Sequence, residues 1–312
     1  MTLIQTVTGA ISPEGLSVVD AHNHVWIAPD DRLPPDMPRL CDQAAIQAEL
    51  SDYRQAGGTA IVDCQPGGCG RDGRVLARLA HASGVYLVAC TGFHLRKYYP
   101  PHYWLWQASA EQTARLFVNE ISCGLAETLD SQQPVRAGFI KIACQARLED
   151  TSPGLLEAAT VASLQTGSPL MAHTERGLDA ERLLARLVGW GLPAGRLALA
   201  HMDKRPDPGL HRALADAGVL LIYDTFYRPK YDPEHNVWPL LEHMLSAGYE
   251  RRIAIGTDMA DGSFWRRLGG SPGLIGLFSS IRPRLQRIGL SPEVVSRLLG
   301  GNVAHWLAGL EA

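Results

Sequence analysis

The sequence predicts a single (β/α)8 barrel, and three observations carry that expectation. Eight short apolar runs recur along the chain. Amphipathic stretches separate them, several closing on a glycine. The length, 312 residues, suits one such barrel, which takes about 250 residues or more.

The runs expected as strands are residues 17–20, 59–63, 86–90, 138–142, 170–172, 197–200, 219–223 and 253–256. Several are apolar at every position, as in parallel strands covered on both faces. Residues 43–56, 71–83, 153–166, 179–189 and 208–217 carry helical spacing. Gly58, Gly84, Gly167, Gly191 and Gly218 stand near their ends, where glycine accepts the left-handed turn that stops a helix. Residues 6–11 are expected as a small hairpin covering the bottom of the barrel. The proline-rich stretch 29–38 reads as a loop after the first strand. Residues 289–310 read as closing helices, with Ser291 and Asn302 as candidate caps. A doubly wound open sheet is the structural alternative, weakened because no GxGxxG follows the first strand. No domain boundary is visible, so residues 1–312 are expected to form one catalytic domain.

Composition excludes several classes. Hydrophobic residues make up 46% and charged residues 20%, enough for a large core and against disorder. The net charge of −3 gives no case for nucleic acid or an anionic membrane surface. No signal-peptide pattern opens the chain and no apolar stretch is long enough to span a bilayer. Cys41, Cys64, Cys69, Cys90, Cys123 and Cys144 are scattered without paired spacing, which reads as reduced thiols in a cytoplasmic protein.

Active sites of such barrels lie at the C-terminal ends of the strands. The first strand ends in His22 and His24, two residues apart, so a strand would turn both the same way. The fourth carries Lys141, the fifth ends in His173, the sixth in His201 and the eighth in Asp258. Lys141 to His173 is 32 residues and His173 to His201 is 28, one βα unit each; His201 to Asp258 is 57, two units. One histidine in an apolar run is ordinarily a packing residue. Six ionisable groups at successive strand ends are costly to bury together without a metal. The remaining seven histidines, His94 among them, read as ordinary core or surface residues.

This motif set resembles the phosphotriesterase family of the amidohydrolase superfamily. The resemblance runs from Thr6-Val7-Thr8-Gly9 through His22 and His24 to Gly256-Thr257-Asp258, and on through Gly269-Gly270-Ser271-Pro272-Gly273-Leu274 to Asn302. It implies two divalent metal ions, usually zinc, with manganese or cobalt as alternatives. His22, His24 and Asp258 would surround one ion, and His173 and His201 the other. A carboxylate on the fourth strand bridges them in this family, either glutamate or a lysine carbamylated by carbon dioxide. Lys141 stands there, so the carbamylated form is expected; a free ammonium would repel both cations. The resemblance also implies a homodimer, and a metal-activated hydroxide attacking an ester carbonyl while Asp258 takes its proton.

Substrate choice lies in the loops. Tyr98 follows the third strand, Arg228 and Lys230 the seventh, and Trp265 the eighth; these four are the candidate substrate-binding residues. Arginine and lysine beside tyrosines suit a carboxylate or a sugar phosphate. Lactonase members of the family are similar in having an aromatic residue after the third strand and a basic residue after the seventh, so the resemblance implies a lactone, and with these charges the expected small-molecule substrate is a sugar-derived or phosphorylated one. The alternatives are phosphotriester hydrolysis, amide hydrolysis, and a non-catalytic barrel that binds a ligand.

Overall fold

The computed structural model describes residues 3–310. β1 (Ile4–Thr6) and β2 (Gly9–Ile11) form the antiparallel hairpin. The barrel strands follow: β3 (Val19–Asn23), β4 (Ala60–Asp63), β5 (Tyr86–Gly92), β6 (Phe139–Ala143), β7 (Leu170–His173), β8 (Leu197–Ala200), β9 (Leu220–Tyr223) and β10 (Ile253–Ile255). All eight are parallel and hydrogen-bonded in chain order. The helices between them are α1 (Gln43–Gln55), α2 (Gly73–Ser83), α3 (Ala110–Ser122), α4 (Pro153–Thr166), α5 (Ala180–Gly189), α6 (Pro208–Asp216) and α7 (Val237–Ser246). Three short helices close the chain: α8 (Arg282–Arg287), α9 (Pro292–Ser296) and α10 (Asn302–Leu307).

The strands from β4 to β10 divide their side chains between two apolar clusters. Val62, Val88, Phe139, Met171, Ala198, Ile222 and Ala254 fill the barrel interior, joined by Trp306 and Leu307 of α10. Ile61, Leu87, Ile140, Ala172, Leu199, Leu221 and Ile255 face outward against the helices. Buried on both sides, the strands need no polar face, hence the continuous apolar runs.

The barrel closes at its first and last strands. Thr257 and Asp258 donate their N–H groups to the His22 carbonyl at 3.2 and 2.8 Å. Asp20 ties the same seam, accepting from the Thr257 N–H at 3.0 Å and its hydroxyl at 2.5 Å. This close approach requires Gly256, where a Cβ would lie 2.8 Å from the His22 nitrogen. At Gly92, φ is +109° and a Cβ would fall 1.8 Å from the Lys141 carbonyl oxygen, so only glycine fits beside the Lys141 backbone.

The hairpin lies at the bottom, where Val7 donates to the carbonyl of Leu87 near the start of β5. Ser291 caps α9 as expected, accepting from the Val294 N–H. Asn302 does not cap: its side-chain amide donates to the Glu250 and Ile253 carbonyls, each at 2.7 Å, and so ties α10 to β10. Three helices went unread in the sequence, α3, α7 and α8. α3 opens on a reciprocal Ser109–Gln112 capping box. In α7, Pro239 sits in the first turn, where its missing N–H costs nothing. Residues 28–39 form no helix or strand; an antiparallel bridge between Ile27 and Leu40 pins their base.

Candidate metal centre

The four histidines expected as ligands meet at the C-terminal mouth, and the strand geometry shows how. Lys141 and His173 point inward by simple alternation, since Phe139 and Met171 belong to the interior. His22 and His201 follow inward-facing Ala21 and Ala200, so alternation would turn both away. Irregular backbone re-aims them. β3 carries a register shift between Asp20 and Asn23, and His201 takes a left-handed φ of +65°. Asp258 is left-handed as well, at +48°. Such conformations cost about 1–3 kcal/mol each and concentrate at functional sites.

Every ligand histidine has one nitrogen on an oxygen behind the ring. Nδ1 of His22 and Nδ1 of His201 lie 2.6 and 2.7 Å from the two oxygens of Asp224. Nδ1 of His24 lies 2.7 Å from Gln65 Oε1. Nε2 of His173 lies 3.1 Å from Glu175 Oε1. Each outer nitrogen therefore carries the proton, and each inner nitrogen presents a lone pair. Burial pushes all four rings below the usual histidine pKa, His24 to about 4, which keeps those lone pairs free.

The inner atoms converge. Nε2 of His22 and of His24 lie 4.0 and 3.7 Å from Asp258 Oδ1, and these three residues form a group able to hold an ion. Nδ1 of His173 is 2.8 Å from Nε2 of His201. If both protons sit on the outer nitrogens, two lone pairs face each other at this contact, an arrangement that a cation would relieve. His22, His201 and Asp224 also cluster closely enough for an ion. Asp224 instead takes the outer nitrogens at hydrogen-bonding distance, so we read it as the carboxylate behind the ligands. Burial, and then the Asp203 carboxylate, push Asp224 upward in pKa; a bound cation would oppose this. Lys141 is fully buried, with Nζ 3.2 Å from His22 Nε2. The donor set fits divalent metal.

Above the centre lies a cavity of about 350 Å³. Ile27, Leu33, Pro34 and Met37, from the segment after β3, form one wall, while Lys97, Lys204, Arg228 and Lys230 also line it. Tyr231 lies beneath two ammonium groups, Lys204 at 5.4 Å and Lys230 at 4.9 Å.

The model of the phosphotriesterase family matches residues 2–307. The chain belongs to this family. A relative from Mycoplasmopsis synoviae (strain 53), called phospho-furanose lactonase, is 27% identical over 97% of this chain and 91% of its own. A relative from Bos taurus, called N-acetyltaurine hydrolase, is 27% identical over 84% of this chain and 77% of its own. The crystal structure of an amidohydrolase from Mycoplasma synoviae superposes with a TM-score of 0.87 at 26% identity, covering 98% and 92% of the two chains.

Within this family framework the six expected ligand residues come together, and three of the four expected substrate residues line the cavity: Tyr98, Arg228 and Lys230. Arg228 is committed in part, its guanidinium donating to Asp258 Oδ2 at 2.8 Å and to the Asp258 carbonyl. Trp265 is a correction. Its side chain is wholly buried, outside the cavity lining, and donates Nε1 to the Met259 carbonyl at 2.8 Å; it props the loop after β10. Asp224, Gln65, Glu175 and Lys204 went unnoticed. Asp224 directly follows β9 at the same end of the barrel as the candidate ligands, and that position was the available signal. Gln65 and Glu175 carried none.

Proposed function

We propose that this chain is a metal-dependent hydrolase that opens the lactone of an anionic, sugar-derived acid. The observation that carries the reading is the set of four histidines, each with its outer nitrogen on an oxygen and its inner nitrogen turned to one centre. His22, His24 and Asp258 would hold one divalent ion, zinc for preference, and His173 and His201 a second. Lys141, as its carbamate, would link them: a buried amine beside His22 needs a change of charge to serve two cations. When bound, the ions supply water that ionises near neutral pH and a Lewis-acidic contact for the ester oxygen that gains charge.

The chain's own residues do the rest. Asp258 takes the proton of the attacking water and passes it to the departing ring oxygen. Arg228 holds the other Asp258 oxygen and so fixes the direction of that carboxylate. Lys204 and Lys230, both near the Tyr231 ring, suit a phosphate or carboxylate on the substrate. Supporting this choice, the Mycoplasmopsis relative is called a phospho-furanose lactonase.

The same cationic arc would also hold a sulfonate. An amide bearing an anion is therefore the second reading, favoured by the relative called N-acetyltaurine hydrolase.

The test is hydrolysis by zinc- or manganese-loaded protein of a sugar lactone, its phosphorylated form, an acyl-homoserine lactone, an N-acyl aminosulfonate and a phosphotriester, with Asp258→Asn as control. The expected outcome is turnover of lactones, the phosphorylated one fastest, lost in Asp258→Asn. Turnover of the aminosulfonate or the triester alone would replace the lactone reading.

A further inference from the structure

Five histidines gather at the mouth of the barrel, and the fifth is set the opposite way. His94, on the segment after β5, lines the cavity, its ring centre 5.3 Å from that of His173 and 6.3 Å from that of His24. Among the described residues no oxygen accepts from its Nδ1. Instead the Leu95 N–H donates to its Nδ1 at 2.7 Å. Nδ1 is therefore an acceptor, and the proton of the neutral ring sits on Nε2. The ligand histidines present lone pairs to the centre; His94 carries an N–H that has no acceptor among the described residues.

The ring is also held still. It stands edge-on to Tyr98 with centres 4.5 Å apart, and the His94 N–H donates to the Tyr99 hydroxyl at 2.9 Å. The residue is 8% exposed. The residue lines the cavity, so an occupant that displaces water there is the natural source of an acceptor for this N–H.

We propose that His94 is a specificity-determining residue, a fixed and uncharged N–H donor that holds a hydroxyl oxygen on the carbon next to the reacting carbonyl. This rests on the lactone reading. Of the oxygens near the reacting carbon, the carbonyl oxygen gains charge against the metals and the ring oxygen leaves with the proton of Asp258. The oxygen on the neighbouring carbon is the next one within reach. An uncharged donor suits a hydroxyl, while the lysines suit the anion, so the two features select different parts of one molecule. A site built to pair a substrate hydroxyl rejects the analogue that lacks it, because its own donor is then left unmet.

The test compares a 1,4-lactone bearing the 2-hydroxyl with its 2-deoxy counterpart, using metal-loaded wild type, His94→Phe and His94→Gln. Metal per chain is measured in all three and is expected to be unchanged. kcat/KM is read for both lactones, and calorimetric binding for the two corresponding open acids. Wild type is expected to favour the hydroxylated partner by about 5- to 100-fold in both readouts. His94→Phe brings the ratio close to one, and His94→Gln, which keeps an N–H, retains part of it. A ratio that survives in His94→Phe overturns the proposal, as does a wild type that binds both acids equally. If wild type opens neither lactone, the lactone reading fails, while the binding ratio still decides the role of His94.

Discussion

Asp224 has two oxygens, and each holds a different histidine. His22 belongs to one expected ion and His201 to the other, so a single carboxylate orients ligands of both. Asparagine at this position offers one acceptor and one donor, and the donor would face a histidine N–H. Asp224→Asn should therefore misorient one ring and weaken metal retention by about 10- to 100-fold, measured as metal per chain after dialysis against graded chelator. Gln65→Glu makes the contrast: it gives His24 a carboxylate in place of an amide and should retain metal at least as well as wild type. Retention unchanged in Asp224→Asn would mean that packing, not this carboxylate, sets the rings. The six candidate ligand residues were legible because each lies in or just past the end of a barrel strand, whereas Gln65 and Glu175 lie in the segments after β4 and β7, where nothing in the chain marks them as partners. His94 was hidden differently. Its role depends on a backbone N–H choosing one ring nitrogen, and no residue pattern encodes that choice.

At the scale of elements, alternation explains half of the inward-facing set. Lys141 and His173 follow the period of two, and so does Asp224, two residues beyond the inward-facing Ile222. His22 and His201 reach the centre only through a register shift and a left-handed residue, so alternation, which placed His22 and His24 together, is an incomplete reason for their meeting. The unread helices, α3, α7 and α8, show a similar limit. α7 contains a proline that argues against a helix until its place in the first turn is known. The strand ends are held together where β10 meets β3, and Gly256 permits that contact. An added Cβ would meet the His22 nitrogen at 2.8 Å and its Cβ at 2.9 Å, with backbone that cannot swing aside. Gly256→Ala should cost about 1–3 kcal/mol of stability by overpacking, read by denaturant unfolding of metal-free protein. It should also loosen metal binding, because His22 is the residue displaced. A variant as stable as wild type and as well loaded would show that the seam is slack.

Over the whole molecule the net charge is −3, yet the cavity gathers cations. Lys97, Lys204, Arg228 and Lys230 line it together with Arg39, against Asp30, Glu175, Asp258 and Asp261. Arg228 is paired with Asp258, and Glu175 holds His173, which leaves the lysines and Arg39 as the cations able to meet a substrate. Lys97 and Lys230 are exposed and Lys204 half-buried, so their reach is set by salt: the screening length is about 10 Å at 0.1 M ionic strength. An anionic lactone should therefore lose kcat/KM by about 3- to 10-fold between low and physiological salt, as steering into a charged cleft is screened. A neutral lactone of the same ring should change little. Lys230→Gln should flatten the salt dependence for the anion and leave the neutral substrate as it was. The slope reads the cavity's own field, because the chain's overall negative charge would repel an anion and give a dependence of the opposite sign. Equal slopes for the two lactones would mean that the lysines serve the protein's solubility rather than its substrate.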